Sequence, residues 1–393
     1  MTLLSKSGLK QILGKVRDSY HGDTEFTEFL DFLSVLRVSV VKIKFVWLAG
    51  LSFILTACQT LSPAPTSTPT PTPDVTVCAE GCDFTTLQAA LDAEHTNDSN
   101  IIAVRDAVHT EANIYIHKNV TIQGSGADAT IVQANAQPET ATDRVFHAPA
   151  GVTVTLRALT IRHGNPMDLP ESGGGILNEG TLTVEGCIIT DNSGSAGGGI
   201  HNDGTLTILN STINHNVARG GGDSYYECQT GGGIKNLAGT VTLRNSTVSD
   251  NTAGGKGGGI HVACKGILVL ENSIIRHNTT NNDGGGVFLN GVGHFTQSTL
   301  SDNTAKTGGG IYIEGSGEHN LIRGQLNYTN TLIAANTARM EKYGVADCML
   351  GDHATLGANR NNWVGDGTCS PAQTGDPAKA PADTGADEGW KQP

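Results

Sequence analysis

Short alternations of apolar and polar residues dominate the chain between residues 100 and 335. TLTV (181–184), TLTI (205–208) and TVTL (240–243) place an apolar side chain at every second position, and the apolar ILVL (267–270) stands in the same place one unit later. A period of two is that of a half-buried strand. A shorter strand follows each, such as STI (211–213) or STV (246–248). Leu206, Ile208 and Ile213 then fall on one side of their unit.

The punctuation between these strands is as regular as the strands. A triplet of glycines before an aliphatic residue begins at Gly173, Gly197, Gly231, Gly257, Gly284 and Gly308, at intervals of 24, 34, 26, 27 and 24 residues. Asparagine recurs at Asn192, Asn216, Asn251, Asn278, Asn303 and Asn336. Glycine and asparagine mark corners. A unit of about 24 residues with three short strands cannot bury its apolar side alone, whereas stacked copies can. Stacking at about 4.8 Å per turn puts like side chains in columns, so a corner asparagine meets the asparagine of the next turn. The expected fold is all-β: a single-stranded right-handed parallel β-helix.

The pattern extends towards the N-terminus without the glycines, through NVTIQGSG (119–126), TIVQA (130–134), RVFHA (144–148) and VTVTLRALTIRHG (152–164). FTTLQAALDAE (84–94) has helical spacing and reads as a short N-terminal helical cap that covers the first coil and blocks edge-to-edge pairing. Roughly nine coils make a rod on the order of 40 Å long.

Composition agrees with this picture. Of 51 glycines in 393 residues, 33 lie within 173–317, so the excess belongs to the repeat. They lack the three-residue period of collagen. The formal charge of −13 argues against nucleic acid as a partner.

The first residues read as an address. Lys42 and Lys44 precede an apolar run from Phe45 to Leu55, which ends in Leu55-Thr56-Ala57-Cys58. This resembles the bacterial lipobox, whose cysteine is lipidated, and implies a lipoprotein signal peptide over 41–57 with lipidation at Cys58. Residues 1–40 carry Asp23, Glu25, Glu28 and Asp31 and lie outside the basic-then-apolar order, so they read as a mis-annotated extension. The Pro/Thr-rich stretch within 58–77 is an extended tether. The expected β-helix spans 78–370, with a disordered tail over 371–393.

CAEGCDFTTLQAALDA followed by TIQGSGADATIV resembles the opening of pectin-lyase-fold proteins of bacterial surfaces. The GGGI…N units resemble the repeats of the polymorphic outer-membrane proteins. DCMLGDHATLGANRNNWVGDGTC resembles the end of the choice-of-anchor Q surface proteins. The resemblance covers about 78–370 and implies a cell-surface rod; it says little about activity. No C-terminal anchor is recognised after Cys369, and the expectation is that the lipobox fills that role.

Six cysteines suit three disulfides in an exported protein: Cys78 with Cys82, Cys348 with Cys369, and Cys228 with Cys264. Cys187 aligns with Ser211, Ser246 and Ser298 and reads as a buried filler.

Chemistry has three candidate places. The residue after each GGG-aliphatic unit gives the column Leu177, His201, Lys235, His261, Phe288, Tyr312, which faces outward if the aliphatic faces in. Such a column suits an acidic or neutral glycan, and equally an ordinary exposed face. The residue before each corner asparagine alternates Asp191, His215, Asp250, His277, Asp302; the pattern fits a metal ladder, an acid/base pair, or a device that avoids stacking like charges. An insertion over 217–230 carries Tyr225 and Tyr226, which could stack on a sugar, or is a tolerated surface loop.

The expected function is a monomeric cell-surface lipoprotein, lipid-anchored in the membrane, presenting the rod to extracellular polysaccharide or a surface partner. The alternative is a polysaccharide lyase or glycoside hydrolase on the same fold. No cofactor is expected, except calcium if the protein is a lyase. Mapping the 5′ end of translation should place the start at Val41; a cellular peptide from residues 1–40 would refute that.

Overall fold

The computed structural model describes residues 72–167, 173–220, 230–263, 265–315, 324–340 and 346–369. The expected extension (1–40), signal peptide (41–57), lipidated Cys58, most of the tether and the tail (371–393) lie outside the described residues.

The described chain winds through four sheets. One has eleven strands, from Val75–Val77 to Thr355–Arg360. A second has ten, from Val108–Thr110 to Trp363–Val364, and a third nine, from Ile114–Tyr115 to Cys348–Leu350. The fourth has six, from Ser193–Gly194 to Thr337–Ala338. Every neighbouring strand belongs to an adjacent coil and runs parallel. One coil therefore visits Ile176–Asn178, Thr181–Glu185, Ile188–Thr190 and Ser193–Gly194 before it meets the next, Ile200–Asn202.

Two features differ from the sequence reading. Each glycine-rich coil has four strands, because a two-residue strand such as Val217–Ala218 follows the corner asparagine. It is too short to show any periodicity. The stack has eleven strands in its longest sheet, against nine expected coils, and starts at Val75, inside the stretch read as tether.

The helical cap is one helix, Leu87–Asp92, with Leu87, Ala90 and Leu91 buried on the first coil. Thr86 caps it by accepting from the Ala89 N–H. The Leu87 and Gln88 N–H groups donate to the Glu111 carboxylate of the next coil, at 2.7 and 2.9 Å. Burial opposes the charge on Glu111, but donors from His109, Gln88 and Leu87 outweigh it and hold the carboxyl below its usual range.

Core columns follow from register. Val184, Ile208, Leu243, Leu270, Phe295 and Tyr328 stack in one file, all buried. Its bulk grows towards the C-terminus, and the neighbouring file thins to Gly293, whose absent Cβ would lie 3.0–3.2 Å from Leu289, Leu326 and Phe295. The Tyr328 hydroxyl donates to the Cys369 carbonyl at 2.6 Å, below which the Cys348–Cys369 disulfide closes the end. Cys78–Cys82 forms the other expected bridge.

The glycine triplets and the asparagines prove to be one device. At Gly232 an added Cβ would lie 2.2 Å from the Gly258 carbonyl oxygen of the next coil. At Gly233 it would lie 3.0 Å from the Asn251 side-chain nitrogen. The triplet lets the backbones of successive coils approach, and it leaves room for the buried amide.

That amide belongs to an unbroken ladder. Nδ2 of Asn192, Asn216, Asn251, Asn278 and Asn303 each donates to Oδ1 of the next asparagine at 2.9–3.0 Å, ending on Asn336. Each Oδ1 from Asn216 onward also accepts the backbone N–H of the preceding asparagine. Asn336 donates to Asp347 rather than to another asparagine. Burial raises the Asp347 carboxyl above its usual range, and Asp366 adds to this against the two donors of Asn336.

Removing one rung orphans buried donors, which costs about 1–3 kcal/mol for each group left unsatisfied. Asn251→Ala strands the Asn216 backbone N–H, while the Asn216 amide keeps the Ile189 and Asn214 carbonyls, so a loss of about 1–3 kcal/mol is expected. Gly232→Ala should cost a similar amount through overpacking, about 1–3 kcal/mol. Denaturant titration of both variants against wild type checks this; wild-type stability in either would contradict the assignment.

Candidate functional site

The residue after each triplet's aliphatic lies at the centre of the third sheet. Register places Tyr115, His147, Leu177, His201, Lys235, His261, Phe288, Tyr312 and Met349 in one file. The expected column is therefore continuous, and it extends further at both ends.

Its exposure is not as expected. Leu177, His201, Lys235, His261 and Phe288 are buried, and Tyr312 is half-buried. The alternation argument assigned the side opposite the aliphatic core to solvent; in this sheet both sides are shielded. The ends are open, with Tyr115 exposed and His147 partly so.

The file has internal order. Phe288 stacks on Tyr312 with ring centroids 5.5 Å apart and meets His261 at 5.2 Å. Lys256 sits over the Phe288 ring, 4.4 Å from its centroid, and pairs with Glu314 at 3.2 Å. This cation–π contact is desolvated and so stronger than at an exposed site. At the other end Tyr115 meets His147 edge-on at 5.1 Å, and His147 bonds Glu179 at 2.7 Å.

The middle of the file is less well satisfied. Both ring nitrogens of His201 and Nδ1 of His261 are buried without a hydrogen-bond partner. His201 Nε2 lies 3.4 Å from Asp203 Oδ1, too poorly aligned to bond. Burial opposes the Asp203 charge, but His201 and Lys235 outweigh it and lower the carboxyl. Burial, then Lys235 and Lys256, push the His261 imidazole down to about 3, so it stays neutral at ordinary pH.

A second amide ladder, Asn178 to Asn202 to Asn236, runs beside the file at 2.6 and 2.9 Å. Its signal was present in sequence as ILN, IHN and IKN after successive triplets. Glu179, Asp203 and Glu314 each directly follow the third-sheet strand of their coil, a signal interrupted by Leu237, Ala263 and Asn290 at the same place in the coils between, and Lys256 occurs in one coil only.

The alternating corner residues have a backbone cause. Asp191, His215, Asp250, His277 and Asp302 all have φ between 53° and 57°. Asp and His are among the side chains enriched in that region. His277 lies 3.7 Å from Asp250 and 3.9 Å from Asp302, and all three are exposed. Among the described residues, no group of three His, Cys, Asp or Glu side chains is placed to hold a metal ion.

Cys187 is buried in the serine file: its N–H donates to Ser211, whose N–H donates to Ser246, and so on through Ser273 to Ser298. Burial raises its thiol to about 11, which makes it inert. Tyr225, Tyr226, Cys228 and Cys264 lie outside the described residues.

With this geometry in hand, the chain can be set beside known proteins. The family described as "Right handed beta helix region" matches residues 78–266. The chain is a right-handed parallel β-helix. Among solved structures it is similar to a pectin methylesterase from carrot, at 12% identity and a TM-score of 0.38, covering 76% of this chain and 84% of that one. A pectate lyase is similar at 13% identity and TM-score 0.41, covering 72% and 75%. The pectin methylesterase PemA from Erwinia chrysanthemi is similar at 11% and 0.33, covering 67% and 79%. No curated protein matches the sequence.

The β-helix makes a pH prediction at His261. The unfolded imidazole titrates near 6.5 and the folded one near 3, so the unfolded state binds the extra proton between them. The contribution is complete above about pH 6.5 and is lost as pH falls. At pH 5 the loss should be about 2 kcal/mol relative to pH 7. His261→Gln should flatten that slope in denaturant titrations across pH; an unchanged slope would contradict it.

Proposed function

We propose that the protein is an exported, lipid-anchored surface scaffold that binds acidic polysaccharide at the accessible ends of the Tyr115-to-Tyr312 file. Export is supported by the two disulfides, which suit an oxidising compartment. The observation that carries the binding reading is the file itself. Aromatic rings stand at both accessible ends, Lys235 supplies a cation between them, and both ring nitrogens of His201 and Nδ1 of His261 make no hydrogen bond within the protein. Buried polar atoms without partners are uncommon and call for an explanation. Sugar hydroxyls offer both donors and acceptors, and a uronate carboxylate complements Lys235.

The middle of the file is shielded, so a glycan first meets Tyr312 at one end or Tyr115 at the other. Catalysis is the second reading. It would place a lyase, with calcium, or a hydrolase on the same scaffold, and a hydrolase requires a pair of carboxylates at a set spacing.

A polysaccharide array scored for both retention and cleavage, with purified residues 59–393, tests this. Retention of acidic polysaccharides without cleavage is expected. Tyr312→Ala should weaken it by about tenfold, the loss of one stacking anchor. A calcium-dependent rise in the unsaturated-uronate absorbance would instead establish a lyase, and retention by no polysaccharide would refute binding.

A further inference from the structure

The eleven-stranded sheet carries a second surface, on a different face from the file above. Its strands Thr153–Arg157, Thr181–Glu185, Thr205–Leu209 and Thr240–Arg244 are consecutive rungs and read TVTLR, TLTVE, TLTIL and TVTLR. Register aligns Thr153, Thr181, Thr205 and Thr240 in one rank. It aligns Thr155, Thr183, Thr207 and Thr242 in a second. The intervening Val154, Leu182, Leu206 and Val241 are buried, so all eight threonines point outward.

The result is a rectangular mesh of eight identical side chains. Its edges are about 4.8 Å between strands and about 6.7 Å along them, and it runs for roughly 14 Å along the rod. There is no register shift in these pairings; the sheet's bulge comes later, between Leu326 and Tyr328. Among the described residues none of the eight hydroxyls hydrogen-bonds to the protein. Charge is confined to one margin, where Arg157 and Glu185 pair at 2.8 Å. The four strands carry no aromatic residue.

We propose that this threonine mesh is an ice-binding surface. The ligand is a water lattice, and the prism face of hexagonal ice presents oxygens on a rectangular mesh of similar edges. Each hydroxyl holds a water at little cost relative to bulk hydrogen bonding, because a bridging water is nearly as favourable as a direct bond. Each γ-methyl restricts where that water sits. The rigid coils hold the ranks in place before ice arrives, so little ordering remains to be done on binding. The absence of charge within the mesh suits a neutral lattice. The absence of aromatic rings sets it apart from a platform for sugar rings.

Ice-affinity partition of the fluorescently labelled full chain tests the proposal, with serum albumin in the same tube as the excluded solute. Wild type is expected to enrich in slowly grown ice. Thr183→Tyr with Thr207→Tyr should reduce it to the albumin level at an unchanged melting temperature. Thr205→Lys, at an exposed position, provides a second disruption if the double variant does not fold. Asn214→Tyr, on the neighbouring sheet, should leave enrichment intact. Exclusion of wild type from ice would overturn the proposal, as would equal enrichment of the mesh variants. Retention of wild type on microcrystalline cellulose or chitin through the same threonines would also overturn it. None of these outcomes depends on the polysaccharide file, whose variants lie on another sheet.

Discussion

The fold rests on the stacking distance between successive coils. Parallel strands repeat at about 4.8 Å, and every other regularity is a consequence of that spacing. It brings the Gly232 backbone so near the Gly258 carbonyl that a methyl group has no place. It also sets each corner asparagine within hydrogen-bond reach of the next, so the buried amides satisfy one another. Apolar burial drives association, but it tolerates slips between similar residues. The amide ladder, which would leave donors stranded after a slip, is what selects one register.

Repeated features were legible in the sequence because repetition multiplies a weak local signal. The triplets, the asparagines and the aliphatic files each recur in several coils, and the β-helix follows from them. The two terminal disulfides were legible because Cys78 and Cys82 sit four residues apart and Cys348 and Cys369 close one loop. The two-residue strands such as Val217–Ala218 were not, since two residues hold no period.

The site was legible in composition and not in exposure. His201, Lys235, His261, Phe288 and Tyr312 stand in one file as their spacing implies, yet the file is shielded. Alternation tells which residues share a side and nothing of what lies against that side. Of the neighbours that tune the file, Lys256 over Phe288 comes from a single coil and leaves no periodic trace, and the acid beside His201 recurs only at Glu179 and Glu314, with other residues in the coils between. The corner Asp and His residues show the converse case. Their identity looks chemical, and a left-handed backbone turn, in which Asp and His are enriched, accounts for the choice of these two side chains.

The amide ladder has a direction. Each asparagine gives its Nδ2 proton to the following coil and takes one from the coil before, so the chain of donors points to the C-terminal end. There Asp347 Oδ1 accepts the last amide hydrogen bond, together with one from the Asn336 backbone N–H. Asp347 stands in register with Gly310 and not with the corner asparagines, so among the described residues the ladder's last acceptor reaches it from a different corner of the coil.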